Sequence, residues 1–241
     1  MIVPVRAADR SGSPGRANAA ARCAHIVSVS TWSVVVPAKR LAVAKTRLRP
    51  LTDGLGGPGG AAHTELVLAL LADTVAAAVA SAPVGEVVVV TDEPAAVAVA
   101  SALGATTVAD EPDRGLNPAL VHGAGAASLP AVAALSSDLP ALRPEELAAA
   151  LRAAEAWPRC FVPDVHGTGT TLLTAVGVPL RPSFGPGSAE AHRAGGAVAL
   201  SGSWPGLVRD VDTDADLREA LVLGAGPCTT ELVGRLRLPK R

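Results

Sequence analysis

The chain has 241 residues, 49% of them hydrophobic and 18% charged, which excludes disorder over most of its length and suits one sizeable core. Lys plus Arg number 21 against 22 Asp plus Glu, a formal net charge of −1, so no global basic field exists to hold a nucleic-acid duplex. Aromatics are only 2%, with no Tyr, which removes the stacking platform of most single-strand binders.

Residues 1–31 carry Arg6, Arg10, Arg16 and Arg22 among Ala, Gly, Ser and Pro, without a continuous apolar stretch. They read as a flexible leader or an over-long start and not as a signal peptide. Residues 32–241 are expected to form a single domain. Cys23, Cys160 and Cys228 lie far apart in no metal-like spacing, as reduced cytoplasmic thiols do. No apolar run is expected to span a membrane, because the most hydrophobic stretch, Leu66 to Val90, is broken by Asp73, Pro83, Gly85 and Glu86.

The β-branched run Trp32 to Pro37 predicts a buried parallel strand. Ala38 to Gly60 reads as a long loop. The spacing of Leu66, Leu70 and Val75 predicts a helix over Ala62 to Ala80. Glu86 to Thr91 is a second strand, and Pro94 to Leu103 a helix closing on Gly104. Ala105 to Val108 is a short third strand, and Asp110 to Asn117 a polar loop. A helix over Pro118 to Ala127, a strand over Ala131 to Ser136 and a helix over Pro144 to Trp157 follow. Cys160 to Val162 and Thr171 to Val176 predict short strands around a glycine loop. Leu207 to Val211 reads as a last strand, with Thr213 opening a helix. Strands alternating with helices imply an α/β fold with a parallel-dominated, doubly wound sheet.

In such sheets ligands sit at the carboxyl ends of strands, near a reversal of strand order, and four clusters fall there. Lys39, Arg40, Lys45 and Arg47, just after the first strand, can gather a polyphosphate through charge-assisted hydrogen bonds; a solvated basic loop is the plainer reading. Asp138 follows the fourth strand, placed either to hold a metal or to cap the turn before Pro140. Asp210 and Asp212, two apart on a predicted strand, can present carboxylates together, which a divalent cation would neutralise. The fourth cluster is glycine-rich, Asp164 to Thr171 and Phe184 to Ser188. Its backbone N–H groups and hydroxyls suit an anion, with Ser188 where a helix can begin. The five histidines show no ligand spacing and read as surface or packing residues.

Together the stretches PAKRLAVAKTRL, LNPAL, SDLPAL, GTGTTLL, FGPGSAEAH and WPGLVRDVDTDADL resemble the 2-phospho-L-lactate guanylyltransferase family and its phosphoenolpyruvate guanylyltransferase branch. The resemblance runs from about Val34 to the last helix. It implies a nucleotidyltransferase-type, Rossmann-like three-layer sandwich with a mostly parallel central sheet. It further implies Mg²⁺ on Asp138, Asp210 and Asp212, and the phosphorylated three-carbon acid on Thr170, Gly185 and Ser188. GTP would lie along Lys39, Arg40, Lys45 and Arg47, with Asn117 on the nucleotide side. Lys39, Lys45 and Arg47 would act catalytically by stabilising the departing pyrophosphate.

The implied reaction passes GMP from GTP to a phosphate oxygen of phosphoenolpyruvate in coenzyme F-420 biosynthesis. The nucleophile is already anionic, so no general base is required; what is needed is relief of repulsion between two anions, the task of metal ions. The same reaction on 2-phospho-L-lactate, transfer to a sugar-phosphate or molybdopterin acceptor, and a non-catalytic nucleotide-binding module are the competing readings. Nucleic-acid and membrane partners are not expected. A homo-oligomer, and passage of the product to the next enzyme of the coenzyme pathway, are further expectations.

Overall fold

A computed structural model describes residues 31–38, 45–53, 55 and 61–237. The expected leader, apart from Thr31, and the candidate cations Lys39 and Arg40 lie outside the described residues. The valine-rich strand β1 (Trp32–Pro37) is buried on both faces, as a central parallel strand must be. It pairs in parallel with β2 (Val84–Val90) on one side and with β4 (Ala131–Leu135) on the other, with Val34 opposite both Val87 and Ala133. With β3 (Thr106–Val108), β5 (Arg159–Pro163), β6 (Thr170–Val176) and β7 (Val198–Ala199) these make a seven-stranded sheet in the order β3-β2-β1-β4-β6-β5-β7. Only β6 runs against its neighbours. The mostly parallel sheet is therefore as expected.

Alternation along β1 sorts the helices into two layers. Val34 and Val36 face a core that includes α2 (Ala61–Val79), α3 (Pro94–Ala102) and α5 (Pro144–Ala154). Val35 faces the opposite side, against α4 (Leu116–Ala126) and α6 (Ser188–Ala194). At Gly123 on α4 a Cβ would come within 2.6 Å of the Val35 and Val90 side chains, so only glycine permits this approach of helix to sheet. Beyond α2 a further cluster joins Leu66 and Leu70 to α7 (Asp214–Leu223) and α8 (Pro227–Leu236).

Three readings of the sequence need correction. The stretch taken as loop from Ala38 to Gly60 contains a 3₁₀ turn, Thr46–Leu48, and a short helix α1 (Arg49–Thr52), whose Leu48 and Thr52 are buried. Leu207 to Val211 forms no strand. Its polar groups are taken outside the sheet: the Val208 carbonyl accepts from Val165 N–H at 2.9 Å and Val211 N–H donates to the Asp138 carbonyl at 3.0 Å. Finally, α2 at 19 residues is long and apolar enough to cross a membrane, against the expectation that no run reaches that length. Two thirds of its apolar window is buried between the sheet and the outer helices, as for a core helix.

Candidate active site

The strand order reverses between β1 and β4, and the carboxyl ends of these two strands open onto a cavity of about 680 Å³. Pro37 and Ala38 lie at one side of that crevice, and Leu135, Ser136 and Ser137 at the other. The chain leaving β4 is held from two directions. Ser136 N–H donates to the Thr171 carbonyl, and Leu139 N–H donates to the buried Thr74 Oγ1 of α2, which itself donates to the Leu70 carbonyl. Between these anchors stands Asp138, 7% exposed.

Asp210 and Asp212 reach the same point from the other end of the domain. The link from Val211 to the Asp138 carbonyl draws the segment in. On its far side Thr213 forms a capping box with Asp216 at the start of α7, and Asp216 Oδ2 also accepts from Asp212 N–H at 3.2 Å. One oxygen from each of Asp138, Asp210 and Asp212 then lies within 4.8 Å of the others. The three aspartates expected to act together do meet, although Asp210 and Asp212 do so from an irregular segment and not a strand.

Charge in this cluster is unbalanced. Burial first, then the Asp138 and Asp212 carboxylates, push the Asp210 carboxyl up to about 7, against the opposing pull of Lys45. Lys45 Nζ contacts Asp138 Oδ2 and lies 2.5 Å from Asp212 Oδ1. Burial alone would lower its pKa, but the two carboxylates more than offset this and hold it above the ordinary lysine range. Lys45 reaches them from a left-handed backbone, φ 49° and ψ 42°. An ammonium seated among three converging carboxylates is a stand-in for a cation. The hard, oxygen-only donor set and the raised Asp210 show a site that a divalent ion fits.

Arg47 lines the same cavity and is exposed. Thr170, Gly185 and Ser188 line it too, brought together from the start of β6, the loop before α6 and the first residue of α6. The loop turns on two glycines in the left-handed region, Gly185 at φ 132° and Gly187 at φ 72°. Asn117, expected on the nucleotide side, is not among the lining residues. Its Nδ2 donates to the Phe184 carbonyl at 3.0 Å and its Oδ1 accepts from Phe184 N–H at 2.7 Å, so both ends of the amide are engaged.

His192, read as a packing or surface residue, is buried beside this wall and makes two hydrogen bonds there. Asp164 also lines the cavity and accepts from Thr168 N–H at 2.9 Å, fixing the β5–β6 turn. Neither role carries a local sequence signal, since each depends on partners the fold supplies.

A family model described as guanylyl transferase CofC like matches residues 32–240. The chain belongs to that family. Among this guanylyl transferase family's members, a phosphoenolpyruvate guanylyltransferase from Geodermatophilus obscurus is 69% identical over 89% of this chain and 99% of its own length. Proteins of the same name from Salinispora arenicola and Streptomyces coelicolor are each 53% identical, over 84% and 85% of this chain and 94% and 97% of their own. A solved nucleotidyl transferase from Methanothermobacter superposes with a TM-score of 0.58 at 20% identity, covering 80% of this chain and 97% of that one. A putative nucleotide-diphospho-sugar transferase from Desulfovibrio desulfuricans also gives 0.58, at 18% identity over 78% and 85%. The chain thus has the nucleotidyltransferase fold that the resemblance implies.

Proposed function

We propose that this chain transfers GMP from GTP to the phosphate of phosphoenolpyruvate, giving enolpyruvoyl-diphospho-guanosine and pyrophosphate, in coenzyme F-420 biosynthesis. One observation carries the reading: Asp138, Asp210 and Asp212 converge in the cavity that Thr170, Gly185 and Ser188 also line. The names of the relatives favour phosphoenolpyruvate over 2-phospho-L-lactate as acceptor.

A phosphate oxygen of the acid attacks the α-phosphorus of GTP, the bond to the β-phosphate oxygen breaks, and pyrophosphate departs. The nucleophile arrives as an anion, so no side chain need remove a proton, and none of the site's histidines is required as a base. Asp138, Asp210 and Asp212 would hold Mg²⁺, which when bound neutralises phosphate charge and orients the phosphates. Thr170 and Ser188 offer hydroxyl donors, and Gly185 a close-lying backbone, to the acid's charged groups. Lys45 and Arg47, with Lys39 and Arg40 from the adjoining segment, would lie along the triphosphate and stabilise the leaving pyrophosphate. GTP and phosphoenolpyruvate are cytoplasmic metabolites, and we place the reaction there, with its reactive diphosphate product passed to the next enzyme of the pathway.

The test is pyrophosphate release from GTP and Mg²⁺ across a panel of phosphoenolpyruvate, 2-phospho-L-lactate and sugar phosphates. Release that depends on phosphoenolpyruvate supports the assignment. Release with a sugar phosphate alone, or tight GTP binding without turnover, would overturn it.

A further inference from the structure

The backbone before Gly185 belongs to no helix or strand, yet two consecutive N–H groups in it are taken by side chains from opposite directions. Ser183 N–H donates to His192 Nε2 of α6 at 2.9 Å. Phe184 N–H donates to Asn117 Oδ1 of α4 at 2.7 Å, and Asn117 Nδ2 returns a bond to the Phe184 carbonyl at 3.0 Å. The Phe184 ring meets the His192 imidazole edge to face, with centroids 5.2 Å apart, and Phe161 lies 5.8 Å away on the same imidazole. His192 Nδ1 is 3.0 Å from Thr170 Oγ1, in a setting that leaves the histidine 2% exposed.

These contacts determine a proton's place. A backbone N–H can only donate, so His192 Nε2 must be the acceptor and Nδ1 must carry the hydrogen. Nδ1–H then donates to Thr170 Oγ1. With its oxygen occupied in that way, the hydroxyl hydrogen of Thr170 is left for an acceptor in the cavity that Thr170 lines.

We infer that Asn117 and His192 are positioning residues that together hold the loop 183–187 and orient Thr170 as a donor to the anionic acceptor substrate. Neither touches the substrate; each acts through a group that does. This rests on the assignment of Thr170, Gly185 and Ser188 to the acceptor. It gives Asn117 a part on the acceptor side of the cavity in place of the nucleotide side. Two backbone amides of this short, glycine-rich loop thus have side-chain partners, and one of those partners also sets Thr170.

The experiment compares wild type with Asn117→Ala, His192→Ala and His192→Asn, reading KM for phosphoenolpyruvate and for GTP, and hydrogen exchange at the Ser183 and Phe184 amides. Loss of one such bond is expected to raise the acceptor KM about tenfold, with the GTP KM changed less than about twofold. His192→Asn keeps a donor toward Thr170 and is expected to recover part of the acceptor KM lost in His192→Ala. Exchange should quicken at Ser183 in both His192 variants and at Phe184 in Asn117→Ala. Equal changes in both KM values, or unchanged protection at these amides, would overturn the proposal. A wild type that releases no pyrophosphate with phosphoenolpyruvate would overturn the functional assignment and the acceptor role together, whereas slow exchange persisting in the variants would overturn the clamp alone.

Discussion

The backbone N–H of Val211 donates to the carbonyl of Asp138 at 3.0 Å. This bond joins the exit of β4 to the irregular segment before α7 and sets three carboxylates around one point. It lies on the main chain, so the site's assembly does not depend on the charge of the side chains it brings together. Substitutions at the carboxylates should therefore separate function from folding.

Asp138→Asn, Asp210→Asn and Asp212→Asn are each expected to lower turnover by about two to three orders of magnitude, while in Asp210→Asn, the carboxyl that burial and its two neighbours push up, the melting temperature holds or rises. Losing one of three crowded negative charges relieves repulsion in the free protein. Pyrophosphate release and differential scanning calorimetry on the same preparations check this; a variant at near-wild-type turnover would remove its residue from the metal site.

Lys45 occupies the place where a divalent ion fits, bridging Asp138 and Asp212. In Lys45→Gln, Mg²⁺ titrated alone by calorimetry is expected to bind several-fold more tightly, because no ammonium has to be displaced. Turnover with GTP should nevertheless fall by about ten- to a hundredfold, since a cation is lost from the triphosphate path. Weaker Mg²⁺ binding would show that Lys45 supports the ion and does not compete with it.

Burial lowers the pKa of His192 from 6.5 to about 4, and its Nε2 is committed as an acceptor. The unfolded chain takes up a proton near pH 6.5 while the folded one resists until about pH 4. The stability this histidine contributes is thus complete above pH 6.5 and is lost as pH falls from 6.5 towards 4. The melting-temperature advantage of wild type over His192→Asn, which cannot titrate there, should shrink by roughly 5 °C across that window. Parallel pH profiles for the two proteins would refute the requirement for the neutral imidazole.

Gly123→Ala places a methyl group within 2.6 Å of Val35 and Val90. Stability is expected to fall by about 1–3 kcal/mol, seen in urea unfolding, as α4 is pushed from the sheet. An unchanged unfolding midpoint would mean that the helix yields without strain.

Much of the fold was legible in local pattern. The valine runs of β1 and β2, the proline-led starts of α3 and α5, and the Thr213 cap of α7 each combine a period or cap with a breaker, and all appear where expected. Leu207 to Val211 misled because a short stretch holding one leucine and two valines suits a strand equally well as a turn and irregular segment whose polar groups are bonded elsewhere. α8 carries a proline start and an apolar face but was not anticipated; its buried Thr229 N–H donates to Asp73 of α2, a partner 156 positions away.

Sequence alone determined which charges and hydroxyls stand near the carboxyl ends of strands, and so the chemistry that the domain can support. Composition, periodicity and capping act over a few residues, and each was available in the chain as written. The tertiary structure decided which of those groups meet. Asp138 finds Asp210 and Asp212 through a main-chain bond, and His192 finds Thr170 and Ser183 through its two ring nitrogens. Such encounters require the sheet to close and the helices to pack before any of their energy is realised, so no local pattern can announce them.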